Sequence, residues 1–195
     1  MRTVITLIYV VFFLISSFPA AGIQWLISPK DRHRRDLMML HYVQWGFRCV
    51  EKLSGSHVTV KGLENVPTDR PVLYISNHQS FFDIVVTYSR LPGLTGFISK
   101  QSVFKVPILG YLMKRLFCLG LDRADLRSGL KVILDAIEEV KQGISIFIYP
   151  EGTRSKDGKV YSFHAGSFKV ATTSGCPIVP VAVTGTRDIL AYPFP

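Results

Sequence analysis

The chain has 195 residues, which is enough for one domain with a full hydrophobic core. Its composition, 48% hydrophobic and only 19% charged, is unusual for a freely soluble protein and indicates contact with an apolar phase. The formal net charge of +9 comes without a nucleic-acid recognition element, so it favours an anionic membrane surface or a phosphorylated substrate over nucleic acid.

The three cysteines, Cys49, Cys118 and Cys176, are far apart in the chain and include no C-x-x-C pair. This pattern indicates neither a disulfide framework nor a zinc site. We therefore expect a reducing compartment.

The first predicted element is an uncharged apolar segment from Val4 to Ile27, about long enough to cross a bilayer. Pro19 inside it makes a kinked or re-entrant hairpin an alternative. A cleaved signal peptide is a second alternative, but Pro19-Ala20-Ala21 is a poor cleavage site. The cations of Lys30 to Arg35 outnumber the single Arg2 on the other side. The positive-inside tendency then places the chain beyond this cluster on the cytoplasmic face, at the inner membrane if the protein is bacterial.

A second helix, with one narrow polar stripe, is predicted from Asp36 to Leu53. It comes directly after a membrane-length segment and a basic cluster, which favours a position in the membrane interface with Tyr42 and Trp45 at headgroup depth. An ordinary core helix is the alternative. We assign residues 1–53 to membrane-anchoring helices and residues 54–195 to a globular domain. The polar stripe consists of His41, Gln44, Arg48 and Glu51.

The globular domain reads as strands alternating with helices, which predicts an α/β fold whose central sheet, mostly parallel or mixed, is flanked by helices. In such sheets a ligand gathers outside the carboxyl ends of the strands. An apolar segment from Val103 to Phe117 is expected to be buried or to face the membrane. An amphipathic packing helix is predicted from the spacing of Leu126, Leu130, Ile133, Leu134 and Ile137, with Gly143 as its C-cap. The predicted strands are His57 to Lys61, Val72 to Ile75, Thr95 to Ser99, Ile144 to Tyr149 and Ile178 to Thr184.

The octapeptide Ser76 to Asp83, S-N-H-Q-S-F-F-D, comes after a predicted strand and indicates a tight turn that enters a helix. Five residues of ideal helix separate two side chains by about 140°. His78 is therefore placed in the turn, with Asp83 on the first helical turn reaching back to it. A carboxylate there holds one imidazole nitrogen and leaves the other to take a proton, as a general base requires. The alternative is a capping His beside a helix-start Asp.

A second polar turn, Glu151-Gly152-Thr153-Arg154-Ser155, comes after the buried strand that ends at Tyr149. Its glycine permits close backbone approach, and the guanidinium of Arg154 suits a phosphate group. Glu151 is expected to orient the turn or to bind a substrate hydroxyl, and a polar loop with an Arg–Glu ion pair is the alternative. Together the two turns predict a general base and a phosphate-sized cation site at strand carboxyl ends.

Four motifs stand in order between about His57 and Thr186, and they resemble those of the lysophosphatidate acyltransferases, also called 1-acyl-glycerol-3-phosphate acyltransferases, of the glycerolipid acyltransferase superfamily. The first, N-H-x4-D, is Asn77, His78 and Asp83. The second, K-x2-L-x6-G-x12-R, is Lys100, Val103, Gly110 and Arg123, with Val in place of Leu. The third, F-x-x-E-G-T-R-S, is Phe147 to Ser155 with one extra residue of spacing, and the fourth is the proline-containing strand Ile178-Val179-Pro180-Val181.

The resemblance implies an O-acyltransferase of phospholipid biosynthesis that acylates lysophosphatidate to phosphatidate. The acyl donor is implied to be acyl-CoA or acyl-carrier protein, with no metal, no other cofactor and no covalent acyl-enzyme. The implied general base is His78, with Asp83 as its orienting partner. The implied glycerophosphate site consists of Glu151, Gly152, Thr153 and Arg154, assisted by Lys100 and Arg123.

The resemblance also implies that the N-terminal helices seat the enzyme on membrane phospholipids, and that Val103 to Phe117 lines the acyl-chain path, with simple core packing as the alternative. Since relatives continue beyond the fourth motif, we expect the sheet to be short at its C-terminal end. The motifs recognise the phosphate and the thioester, so other acceptors stay open: glycerol-3-phosphate, another lysophospholipid or a lyso-ornithine lipid. A lipid-binding protein without turnover is the alternative from a different class.

Overall fold

The computed structural model describes residues 2–189, and within them the chain forms two compact units. One unit comprises the described parts of Met1–Lys61, Gln79–Leu91 and Thr184–Pro195, and the other comprises Gly62–His78 and Pro92–Val183. The chain passes from one unit to the other directly after His78. The predicted division at residue 53 stays a prediction.

The described residues form five strands and seven α-helices. The strands are β1 (Leu73–Ser76), β2 (Thr95–Lys100), β3 (Leu119–Leu121), β4 (Ser145–Ile148) and β5 (Ile178–Val181). The helices are α1 (Arg2–Ile27), α2 (Arg32–Ser54), α3 (Phe82–Tyr88), α4 (Pro107–Arg115), α5 (Leu126–Lys141), α6 (Lys169–Ser174) and α7 (Thr186–Ile189).

The second unit contains a five-stranded sheet in the order β3-β2-β4-β1-β5. All four neighbouring pairs are parallel, as predicted for this fold class. The carboxyl ends of all five strands therefore meet at one edge of the sheet. Both central strands, β1 and β4, are buried along their whole length, which explains their continuous apolar sequences.

The two faces of this sheet carry different side chains because successive residues of a strand alternate. On one face, Leu73, Ile75, Ile146 and Ile148 pack against α5 and α6 in a single apolar cluster. On the other face the side chains are aromatic: the ring of Phe147 lies 5.6 Å from Tyr74, 4.5 Å from Phe97 and 5.1 Å from Tyr149. Burial raises the pKa of Tyr74 to about 12.

The second predicted motif contains a glycine with a packing reason. A Cβ at Gly110, in the first turns of α4, would overlap the backbone carbonyl of Phe104. Glycine thus lets α4 fold back tightly on the 3-10 segment Gln101–Lys105 that comes after β2. Val103 and Phe104 in that segment are half-buried, while Tyr111 of α4 is exposed, so the apolar segment from Val103 to Phe117 is only partly buried in its own unit.

The first unit begins with a helical pair. The helix α1 is continuous from Arg2 to Ile27 with Pro19 inside it, so the re-entrant hairpin alternative is wrong. By length and composition α1 can cross a membrane, and only 17% of its most apolar window is buried. It packs on α2 through Phe13, whose ring stacks on Tyr42 at 5.0 Å and lies over Gly46.

Part of the polar stripe of α2 contacts the carboxyl end of α3. Gln44 Nε2 donates to the carbonyls of Tyr88 and Leu91 at 3.2 and 2.8 Å. Arg48 donates to the carbonyl of Ser89 at 3.0 Å. Gln44 is 7% exposed, which agrees with the core-helix alternative for this face. These contacts satisfy carbonyls that the end of a helix leaves without intrahelical partners. The position of α2 in a membrane interface stays a prediction.

An ion pair completes the contact between α2 and the end of α3. The carboxylate of Glu51 accepts from Arg90 Nη1 at 2.6 Å and Nη2 at 2.7 Å, and from Ser89 Oγ at 2.7 Å. The Glu51 side chain is 8% exposed and that of Arg90 is 24% exposed. A two-pronged pair of this kind fixes both the distance and the angle between the two elements.

Three expectations are wrong in detail. The segment from His57 to Lys61 joins none of the five strands, because period-two alternation alone does not supply a neighbouring strand. The predicted packing helix is confirmed as α5, with Ile137 in the core and Ile133 packed against it, but Leu130 and Leu134 are 60% and 53% exposed. The strand β5 ends at Val181, whereas the predicted strand continued to Thr184; it lies at the edge of the sheet and alternates between exposed and half-buried residues. The sequence also led us to expect a sheet that is short at its C-terminal end. The last residues of the chain, Tyr192 to Pro195, lie outside the described residues.

We predict that Glu51→Gln lowers the free energy of unfolding on the order of 3 kcal/mol, because it leaves the mostly buried Arg90 without its counter-charge. Thermal unfolding in detergent should show a melting temperature lower by roughly 6–12 °C. Glu138→Gln is the matched control: it breaks an exposed ion pair with Lys141. Its effect should be under about 0.5 kcal/mol. Equal melting temperatures for the two variants would contradict this role for Glu51.

Candidate active site

His78 lies two residues beyond the carboxyl end of β1, and three contacts hold it. Its backbone N–H donates to Glu151 Oε1 at 2.8 Å, and its carbonyl accepts from the N–H of Ser155 at 2.8 Å. Its ring stacks on Tyr149 with centroids 4.0 Å apart and an angle of 18° between the planes. The backbone contacts fix the position of the residue, and the stacking fixes the plane of its imidazole.

Glu151 is the centre of the turn that comes after β4. It is 5% exposed, and each carboxylate oxygen accepts one backbone hydrogen bond: Oε1 from His78 and Oε2 from the N–H of Tyr161 at 2.9 Å. These contacts support the expectation that Glu151 orients the turn. The assignment of Glu151 to substrate binding stays a prediction, and the oxygens it would use already bind protein backbone.

Gly152 occupies the position where the turn requires a residue without a side chain. Its φ is +67°, in the left-handed region that glycine adopts at little cost. A Cβ here would also lie 3.3 Å from the Cδ2 and Nε2 atoms of His164. The N–H of His164 donates to the carbonyl of Pro150 at 2.9 Å, so its ring lies beside the turn. Sequence reasoning gave His164 no role.

Arg154 and Thr153 are exposed on this turn, so their side chains are accessible to a polar ligand from solvent. Ser155, by contrast, is 5% exposed and serves the backbone of His78. The loop beyond it is ordered by Asp157, which accepts from the N–H of Lys159 and from Ser155 Oγ, both at 3.2 Å. The hydrogen bond from the Lys159 N–H, with that from Ser155, holds the pKa of Asp157 below its ordinary value.

The remaining predicted cations lie at the same sheet edge but farther from β1. Lys100 is the last residue of β2 and Arg123 lies two residues beyond β3, and both are exposed. In the strand order, β2 is two strands from β1 and β3 is three, which corresponds to roughly 10 and 14 Å at the usual strand spacing. Arg154 comes after β4, the immediate neighbour of β1. The structure thus brings Arg154 nearest to the strand that carries His78 and places Lys100 and Arg123 at the outer part of the edge.

Asp83 belongs to the first unit, on the first turn of α3, and it is completely buried. Its Oδ2 accepts from the N–H groups of Gln79 and Ser80 at 2.6 and 2.9 Å, and its Oδ1 accepts from Thr186 Oγ1. Gln79 is the residue directly after His78, so the carboxylate is held against the turn that leaves His78. Helix α3 begins at Phe82 with Phe81 as its N-cap residue, and Ser80 Oγ accepts from the N–H of Phe82.

Asn77 has a role in its own unit that its motif position did not predict. Its side-chain Nδ2 donates to the carbonyl of Val183 at 2.8 Å, and its Oδ1 accepts from the N–H of Val183 at 2.8 Å. The amide thus imitates one more step of the pairing between β1 and β5, beyond the point where both strands end.

Sequence reasoning missed two residues beside the predicted site, Tyr149 and Thr186. Tyr149 had a signal: it lies two residues beyond Phe147, so it shares the aromatic face of the sheet, and β4 pairs in parallel with β1. Thr186 had none, because it contacts a residue 103 positions earlier in the chain. Among residues 2–189 no group of three His, Cys, Asp or Glu side chains could hold a metal ion.

Comparison with known proteins gives a consistent result. A family model described as Acyltransferase matches residues 57–184. A chloroplastic 1-acyl-sn-glycerol-3-phosphate acyltransferase of Brassica napus is 38% identical over 161 residues, which are 82% of this chain and 46% of that protein. A chloroplastic 1-acyl-sn-glycerol-3-phosphate acyltransferase of Arabidopsis thaliana is 43% identical over 134 residues, 68% of this chain and 37% of that protein. The chain thus spans about half the length, or less, of these relatives.

A solved structure is also similar. The crystal structure of the 1-acyl-sn-glycerophosphate (LPA) acyltransferase PlsC from Thermotoga maritima matches with a TM-score of 0.76 and 30% sequence identity. The match covers 96% of this chain and 77% of that one.

We predict that Glu151→Gln destabilises the protein by about 1–3 kcal/mol, because an amide has one acceptor oxygen and leaves the N–H of either His78 or Tyr161 facing an NH₂ group. Thermal unfolding measures the loss. Asp157→Asn is the control in the same loop, where an exposed carboxylate is replaced and little change is expected. An unchanged melting temperature for Glu151→Gln would mean that its two backbone contacts contribute nothing.

Proposed function

The chain belongs to the acyltransferase family, and we propose that it transfers a fatty acyl group from a thioester to the free hydroxyl of 1-acyl-glycerol-3-phosphate, giving phosphatidate. The names of its relatives support this acceptor. The proposed donor is acyl-CoA or acyl-carrier protein. One observation carries the proposal: a histidine at a strand carboxyl end is fixed by two backbone hydrogen bonds and an aromatic ring, next to a turn that bears an exposed arginine.

In the proposed reaction His78 acts as general base. Its imidazole takes the proton of the acceptor hydroxyl while the oxygen attacks the thioester carbonyl carbon, so that a C–O bond forms and the carbonyl oxygen becomes an oxyanion. The intermediate collapses by breaking the C–S bond, and the imidazolium returns the proton to the leaving sulfur. The products are an ester and a free thiol, and the enzyme ends in its starting protonation state.

Asp83 is proposed to orient the imidazole of His78. Support comes from its burial and from the two amides, of Gln79 and Ser80, that hold its carboxylate beside the peptide after His78. A fixed carboxylate selects one imidazole tautomer and stabilises the imidazolium that forms when the base takes its proton.

Arg154 is proposed to bind the acceptor's phosphate, since a guanidinium matches phosphate with two parallel hydrogen bonds. Gly152 and Thr153 would contribute close backbone approach and a hydroxyl. Lys100 and Arg123, farther along the edge, are proposed as outer cations that assist with phosphate. Their separation from β1 in the strand order supports the choice of Arg154 as the principal ligand.

The protein is further proposed to act on the surface of a phospholipid membrane, which α1 contacts. Large apolar side chains along that helix are exposed in the folded protein, for example Phe12 at 65%, Leu26 at 71% and Trp25 at 59%. Exposed apolar area on this scale is costly in water and is removed by contact with lipid. Placement of the catalytic part on the cytoplasmic face rests on the basic residues after α1.

We predict that wild-type protein transfers labelled acyl groups to lysophosphatidate, and that His78→Ala lowers the rate on the order of 10²-fold or more. Both thioester donors are offered, with lysophosphatidate, glycerol-3-phosphate, another lysophospholipid and a lyso-ornithine lipid as separate acceptors. His57→Ala, which removes an exposed histidine from an irregular segment, is the control. Rates at background in both wild type and His78→Ala would leave a lipid-binding role, and preference for another acceptor would replace lysophosphatidate in the proposal.

We predict that Arg154→Gln raises the KM for lysophosphatidate roughly 10- to 100-fold, the range for loss of hydrogen bonds to a charged group. The KM for the acyl donor should stay within about threefold. Arg127→Gln, an exposed arginine on α5, is the control and should leave both values unchanged. A rise in the donor KM instead would assign Arg154 to the donor.

A further inference from the structure

The carboxylate of Asp83 is held by contacts from two distant parts of the chain. The N–H groups of Gln79 and Ser80 bind Oδ2, and both come from the adjacent turn. Oδ1 accepts from the hydroxyl of Thr186, which is 103 residues away in sequence and only 3% exposed. Donors on both oxygens hold the plane of the carboxylate, and the Thr186 hydroxyl is the contact that comes from outside the turn.

Thr186 is brought to its position by a short connection with two fixed points. At the first, Val183 is bound through both its N–H and its carbonyl by the side chain of Asn77. Gly185 then adopts a φ of +78°, which turns the chain sharply before α7 begins at Thr186. Asn77 and Asp83 are the first and last residues of the N-H-x4-D motif, and each binds one end of this segment within its own unit.

We propose that Thr186 is a positioning residue for the reaction, acting through Asp83. The inference rests on the proposed function, in which Asp83 orients His78. The hydroxyl donates a hydrogen bond to Asp83 Oδ1 and, together with the two turn amides, fixes the carboxylate to which the orienting role is assigned. Thr186 touches no reacting atom in this scheme, and its effect is expected on turnover and not on acceptor binding.

The chain offers a matched set of variants. Thr186→Val keeps the shape and removes the hydroxyl, Thr186→Ser keeps the hydroxyl and removes the methyl group, and Thr184→Val makes the same chemical change at an exposed threonine two residues away. We expect Thr186→Val to lower kcat roughly 10- to 100-fold with the KM for lysophosphatidate within about threefold, because a hydrogen bond to a charged group is lost. Thr186→Ser and Thr184→Val should stay within about threefold of wild type in kcat.

Three results would overturn the inference: a wild-type kcat in Thr186→Val, an equal loss of kcat in Thr186→Ser, or a change in Thr186→Val that is confined to KM.

A second readout, thermal unfolding, does not need turnover. Thr186→Val should lower the melting temperature in the wild-type background and have little further effect in an Asp83→Ala background, since the hydrogen bond is already absent there. Additive melting shifts would show that Thr186 does not act through Asp83. If wild-type protein transfers no acyl group but the melting-temperature shifts of the Thr186 and Asp83 variants are not additive, the proposed function is rejected and the Thr186–Asp83 contact is kept.

Discussion

The buried carboxylate of Glu151 is the contact on which the geometry around His78 depends. It joins the turn after β4, to which it belongs, to the turn after β1. These two turns are neighbours only where they leave the paired strands. The same carboxylate also accepts from the N–H of Tyr161 in the loop that comes after its own turn. A carboxylate is suited to this role because it accepts several hydrogen bonds and donates none. Each of these hydrogen bonds is stronger than one to a neutral acceptor, because the carboxylate is charged. The cost of burying the charge is offset by the backbone N–H groups that it binds.

Fixed and exposed groups are separated along this sheet edge. Backbone hydrogen bonds hold His78, Glu151 and Ser155, and stacking on Tyr149 also holds the ring of His78. A fixed position suits the general base that His78 is proposed to be. The cations Arg154, Lys100 and Arg123 are exposed on strand ends and turns. Long exposed side chains adapt to a headgroup and steer an anion without needing one fixed geometry.

Much of this arrangement could be predicted from the sequence because its signals are local. Continuous apolar strands predicted β1 and β4, and polar turns after them predicted the place of His78 and Arg154; the family resemblance is confirmed by the relatives and by the similar crystal structure. The failures concern which partner an element meets. On α5 spacing identified the core residues Ile133 and Ile137, but it also chose Leu130 and Leu134, which lie on the same wide apolar side and are exposed. The contact of Thr186 with Asp83 joins residues 103 positions apart and leaves no local pattern at all.

The polar stripe of α2 shows how the same pattern supports two physical interpretations. Polar residues spaced three and four apart predict a polar helix face, but they do not say whether that face contacts lipid headgroups or the end of another helix. The structure shows the second contact for three of the four residues: Gln44, Arg48 and Glu51 bind the carboxyl end of α3, whose first turn carries Asp83. Asp83 therefore belongs to the same compact unit as α1, the helix proposed to contact lipid. Because α3 is only seven residues long, buried hydrogen bonds at its carboxyl end also limit the movement of its first turn. The helical pair proposed to contact lipid thus also supports the carboxylate of Asp83, which is proposed to orient His78.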